Sequence, residues 1–195
     1  MSKITKIKGR QVFDSRGNPT LEAEVFVENG NSYSAMVPSG ASTGKHEAFE
    51  LKDKDNKLYL GKSVFKAVDN INNIISKKLK NFDVHEPEKI DKTLIELDGT
   101  KQKSKLGANS ILAVSIAVVK AKTALQGLPL SRVFGDKCIL PRPLMNIVNG
   151  GAHANNSLRI QEFMIRPDKS ETFTDALRVC FLVINNLKLI LNKKK

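Results

Sequence analysis

Three side chains in the last third of the sequence have types that could do chemistry: His153, Gln161 and Glu162. His153 lies in a Gly/Asn-rich stretch, Asn149-Gly150-Gly151-Ala152-His153-Ala154-Asn155-Asn156, directly after the apolar run Leu144 to Val148. A loop histidine is most often only solvated, but loops at the C-terminal ends of strands are where α/β barrels place reacting groups. Gln161 and Glu162 interrupt a second apolar run, Ile160 to Ile165. A carboxylate in a buried strand is costly unless partnered, so Glu162 is expected to face a metal site, a cation or a bound ligand.

A second candidate is the small-residue stretch Pro38-Ser39-Gly40-Ala41-Ser42-Thr43-Gly44. Such a segment packs little core, can move, and lets backbone amides approach a ligand. It brushes against a phosphate-binding loop. That motif needs four residues between its glycines and Ser or Thr after the Lys; here three intervene, and His46 follows Lys45. The hydroxyl of Ser42 or Thr43 could instead coordinate a hard cation, which takes oxygen ligands, or the stretch could be a plain surface loop. His85 has no second histidine at helical spacing, so no zinc motif forms there, and His46-Glu47 reads as a local hydrogen-bonded pair.

Periodicity shows the elements that must position these groups. Residues 3–37 read as an antiparallel meander. Ile4, Ile7, Val12 and Phe13 lie in a first strand, and Arg16-Gly17-Asn18-Pro19 form a turn. Leu21, Ala23, Val25 and Val27 then alternate with Glu22, Glu24 and Phe26, Asn29-Gly30 makes a hairpin, and Tyr33 to Val37 return. Val64, Val68, Ile71, Ile75 and Leu79 recur as one helical stripe, and Ile90, Leu94 and Leu97 predict a helix over 86–98. Ala108 to Leu125 predicts a nearly all-apolar, buried central helix stopped by Gly127 and Pro129. Past Pro141 come the two short apolar strands, expected to be buried, and a last helix from about Ser170 to Leu191 with Ser170 as its N-cap. A boundary near 136–142 divides a domain over 1–138 from the opening of another over 139–195.

The composition fits an ordinary globular chain: 195 residues, 41% hydrophobic and 27% charged, which excludes wholesale disorder. Net charge is +12, and residues 101–150 alone carry +7. Such an excess could attract nucleic acid, an acidic membrane or an anionic substrate, or simply form a Lys-rich solvated surface. Cys138 and Cys180 make neither a disulfide framework nor a CxxC site, and reduced thiols in the cytoplasm are the simplest account. The N-terminal residues lack the apolar stretch of a signal peptide, and the run Ile111 to Val119 is too short to span a bilayer.

Five ordered stretches carry a resemblance: FDSRGNPTLEAEV at 13–25, VPSGASTGKHEAFELKD at 37–53, LDGTKQKSKLGANSILAVS at 97–115, PRPLMNIVNGGAHANNSL at 141–158 and IQEFMIRP at 160–167. The sequence resembles the enolases (phosphopyruvate hydratases) over nearly all of its residues, which correspond to about the first half of that family's usual length. The resemblance implies an α+β capping domain, an antiparallel meander plus helices, followed by the start of an α/β (TIM-like) barrel that is incomplete. The implied reaction is the reversible dehydration of 2-phosphoglycerate to phosphoenolpyruvate with two Mg²⁺ per complete active site.

Carried over residue by residue, Gly40, Ala41, Ser42 and Thr43 match the family's mobile loop, whose serine ligates the second Mg²⁺ when the loop closes. His153 matches the loop histidine beside the substrate's phosphate and leaving-group end. Glu162 matches the strand carboxylate near the substrate hydroxyl, and Gln161 its neighbour in the substrate site. Arg10 and Arg16 match the segment that contributes to a homodimer interface. Lys52 stands where the family often has Arg, a change that weakens a bidentate contact. The primary Mg²⁺ carboxylates, the base Lys and the general acid match no residue of this chain, so the chain by itself is expected to be inactive. Neither membrane nor nucleic acid is the expected partner, and the cytoplasm is the expected location. The alternative is a non-catalytic fragment that pairs with another subunit or binds polyanions.

Overall fold

The computed structural model describes residues 2–40, 44–135 and 139–193, which fall into two units, Met1–Asp136 and Lys137–Lys195. The first opens with the meander: β1 (Ile4–Phe13), β2 (Pro19–Val27) and β3 (Ser32–Met36), in the order β1-β2-β3 and antiparallel throughout. The period-two pattern of β2 turns Leu21, Ala23, Val25 and Val27 inward, all buried. Gly30, with φ +85, turns the hairpin in a conformation that costs glycine nothing.

Helices pack against all three strands of the sheet. α1 (Phe65–Asp69) runs through a π-helical stretch, Asn70–Ile75, into α2 (Ser76–Lys78). The stripe Val64, Ile71, Ile75 and Leu79 is fully buried. The expected regular helix is interrupted by this widened turn, and polar side chains along the segment tie it to β1 and to Leu106. Asn72 Oδ1 accepts from Gly9 N at 2.8 Å, Ser76 Oγ accepts from Ile7 N at 3.0 Å, and Asn70 Nδ2 donates to Leu106 O at 2.9 Å. β1 and this helix approach so closely that a Cβ on Gly9 would lie 3.0 Å from Ile71.

α3 (Pro87–Asp98) ends on Gly99 in the left-handed conformation, and α4 (Ala108–Leu125) packs against β2, β3 and α3. Ala113, Val114, Ala117, Val118 and Ala121 are fully buried on α4. Small side chains let the helix lie close over the sheet. By length and composition alone α4 is apolar enough to cross a membrane; its contacts make it the core helix of this unit.

The second unit holds β4 (Met145–Asn149) and β5 (Glu162–Ile165), paired antiparallel, and α5 (Phe173–Lys193). Among the described residues there is no closed barrel. Two expectations are corrected here. β5 is not a buried strand: Phe163 is 43% and Met164 50% exposed, because a single two-stranded ladder covers neither of its own faces. The cap of α5 is Thr172, not Ser170. Thr172 Oγ1 accepts from Asp175 N at 3.1 Å, and its carbonyl accepts from Ala176 N. Arg178, first, and then Ser170 hold the Asp175 carboxyl below its usual range.

Candidate active site and family relationship

In the second unit, the loop between β4 and β5 brings His153, Gln161 and Glu162 together. β4 ends at Asn149, and the chain turns through Gly150 and Gly151 into a single helical turn, Gly151–His153. Gly150 N donates to Gln161 O at 3.0 Å, and Gly151 N donates to Leu158 O at 2.8 Å. No larger residue fits at 150, since its Cβ would lie 2.5 Å from Ile160 O and 2.6 Å from Leu158 Cβ. Asn156 closes the loop, donating from Nδ2 to Asn149 O and accepting at Oδ1 from Leu158 N.

His153 Nδ1 lies 2.9 Å from Glu162 Oε1, and His153 Nε2 lies 2.9 Å from Gln161 Nε2. The histidine and the glutamate are both part-buried, with side chains 22% and 31% exposed. Such a His–carboxylate pair can hold or move one proton, and the amide beside it can orient the ring. The strand around Glu162 was expected to be buried, and it is not. The carboxylate does have a partner all the same.

In the first unit the stem of the small-residue loop is held at Ser39. Arg16 Nη2 donates to Ser39 O at 2.7 Å while its guanidinium also grips Asp14. Asp14 accepts from the backbone N–H of Asn18 and of Arg16, and these bonds, Asn18's foremost, hold its carboxyl below the usual range. Ser39 Oγ donates to Glu50 Oε2 at 3.1 Å, and Lys52 Nζ reaches both Ser39 Oγ and Glu50. Lys52 thus reaches both acceptors from one ammonium, without the fixed paired geometry of a guanidinium. Gly40 is described; Ala41, Ser42 and Thr43 lie outside the described residues. The chain that follows is anchored to α4: Asn109 accepts from Leu51 N and donates to Leu51 O, and Gly107 (φ +90) meets Leu51 so closely that no Cβ fits. Arg10, on β1, pairs with Glu22 and Glu24 of β2. Ser32, first, and Arg10 hold Glu24 below its usual range.

Comparison with known proteins settles the family. The model of the enolase N-terminal domain matches residues 4–134, and that of the enolase C-terminal TIM barrel domain matches residues 137–195. The chain belongs to the enolase family. A curated enolase of Pelagibacter ubique (strain HTCC1062) is 60% identical over 196 residues, covering 100% of this chain and 47% of that protein. The chain therefore spans about half the length of the curated relative it matches. The antiparallel capping unit and the opening of the barrel domain are those of an enolase, as the five motifs implied. The candidate residues of the two enolase domains lie in different units. Among the described residues no group of three or more His, Cys, Asp or Glu side chains could hold a metal ion. Gly150, Ser39 and Asn109 escaped the reading of the sequence as site-building residues; the double glycine two residues ahead of His153 was the available signal.

Proposed function

We propose that this chain supplies the loop-histidine side of an enolase active site, for the reversible dehydration of 2-phosphoglycerate to phosphoenolpyruvate. The observation that carries the reading is the His153–Glu162 pair, seated with Gln161 in a loop whose sequence matches the family's. Dehydration removes a proton from C2 and a hydroxide from C3, which leaves as water once protonated. A part-buried imidazole hydrogen-bonded to a carboxylate suits the hydroxyl end of that chemistry, because either group can hold or pass one proton at the departing oxygen. Gln161 and the Gly150-Gly151 turn fix the pair in place. Ser42 is proposed as the loop ligand of a second Mg²⁺. The described residues do not fit a primary Mg²⁺ site.

We further propose that Arg10 and Arg16 belong to a surface that pairs with a second subunit, and that the protein acts in the cytoplasm. The 195-residue chain alone is expected to form no phosphoenolpyruvate with Mg²⁺ and 2-phosphoglycerate, since none of its motifs carries the base for the C2 proton. Absorbance of the enol product measures this, and substantial turnover would overturn the division of labour. Binding is a separate matter. Titration of the ¹⁵N-labelled chain with 2-phosphoglycerate should move His153 and Glu162 before other resonances.

A second reading is favoured by one feature of the first unit. Two adjoining clefts, of about 640 and 450 Å³, share Glu47, Ala48 and Gln102 and are rimmed by Lys45, Lys52, Lys54, Lys101 and Lys103. A polyanion-binding role predicts retention on heparin that falls steeply with salt. A non-catalytic role in subunit pairing predicts co-purification with a full-length enolase.

A further inference from the structure

The imidazole of His153 is gripped at both ring nitrogens, and the two grips together specify its proton. A carboxylate oxygen only accepts, so the 2.9 Å contact with Glu162 Oε1 puts a hydrogen on Nδ1. The side-chain nitrogen of Gln161 lies 2.9 Å from Nε2, and with the amide turned this way round it donates to a lone pair on Nε2. Both contacts describe one neutral ring with its hydrogen on Nδ1, the opposite of the tautomer an unrestrained imidazole favours in water. Gln161 is tied to the same loop a second time through its main chain. Its carbonyl accepts from Gly150 N, and Gly150 O accepts from His153 N, both at 3.0 Å. Gln161 and Glu162 are successive residues, whose side chains would face opposite ways in a strand. The bend at 160–161, ahead of β5, lets both reach one ring.

We infer that Gln161 is a positioning residue for His153, holding the ring in one orientation through both of its proton states. An amide suits this task. Its NH₂ donates to Nε2 of the neutral ring; after a half-turn its carbonyl accepts from Nε2–H of the charged ring. Glu162 accepts from Nδ1–H in either case, and among the described residues it is the carboxylate within hydrogen-bond distance of the ring. The pair can then gain or lose a proton without the imidazole swinging away. This inference rests on the reading of His153 as the imidazole of the candidate site.

The test is ¹⁵N NMR of the imidazole nitrogens in the 195-residue chain, across pH. The three histidines, His46, His85 and His153, are assigned by single His→Gln substitutions. The expected result is the Nδ1–H tautomer for neutral His153. In Gln161→Met, which keeps the reach and removes the hydrogen bond at Nε2, the share of the Nε2–H tautomer should rise, because Glu162 alone is left to hold the ring. In Gln161→Glu, of nearly the same shape, a second carboxylate at Nε2 should keep the ring doubly protonated to a pH about one unit higher. Backbone resonances of β4 and β5 report whether the hairpin survives in each variant. An Nε2–H tautomer in the unsubstituted chain would overturn the inference, as would variants in which His153 keeps its tautomer and titration. The substrate reading fails separately: 2-phosphoglycerate would then leave the His153 nitrogens unmoved, whatever their tautomer.

Discussion

Asp98 is a charge placed where water does not reach, at 2% exposure. Burial by itself would push its carboxyl upward. The bond from Leu106 N at 2.7 Å and those from the Thr100 hydroxyl and Thr100 N outweigh it, leaving the group below the usual carboxylate range. A carboxyl lowered in the folded state adds stability above its unfolded pKa, and that stability is lost as pH falls through the folded value. The first unit should therefore weaken in acid below about pH 4. Asp98→Ala should cost about 1–3 kcal/mol at pH 7 by urea denaturation, and the gap should narrow at pH 3. Gly150 offers a contrasting residue-scale test. Gly150→Ala puts a methyl group against Ile160 O and Leu158, so the loop must move and the His153–Glu162 contact with it. The expected result is loss of the His153 tautomer preference, with the first unit's melting unchanged. Gly17→Ala, at a position with φ +74 and open space around it, should cost only about 1 kcal/mol.

Elements show where the sequence was readable and where it was not. β2 and α4 were legible because one period ran through each: alternate apolar residues in the strand, and a nearly unbroken apolar helix between Gly107 and Gly127. The π-helical stretch was not, because the apolar stripe from Val64 to Leu79 suits a regular helix equally well. The wider turn coincides with polar contacts of Asn70 and Asn72, and of Ser76 just after it, with residues far along the chain. The cap of α5 was misread for a similar reason: Ser170 and Thr172 are both good caps, and only the loop's path decides between them. Thr172→Ala should cost about 1 kcal/mol of α5 stability, seen as faster hydrogen exchange at the Ala176 amide, and Ser170→Ala should cost less. Of the candidate site, residue types and the loop motif revealed His153, Gln161 and Glu162, but not which ring nitrogen faces which partner. That depends on a bend of two residues that no periodicity announces.

At the scale of the molecule the two units differ in how much they bury. The first has a continuous core from Ile4 to Ala121. Among the described residues of the second, the buried side chains are Ala176 and Cys180, while Phe181, Leu189 and Ile190 on α5 are each more than half exposed. Limited proteolysis at low protease should cut within 139–193 first and leave a resistant piece ending near residue 136. Equal survival of both units would contradict this. The polar contacts on β1 have one more effect. Since Ile7 and Gly9 donate to Ser76 and Asn72, and Asn72 Nδ2 returns a bond to Gly9 O, the outer margin of the meander offers no free ladder there to an incoming ribbon. Fibrillar stacking through that side would first have to peel away the helix that two short side chains hold there.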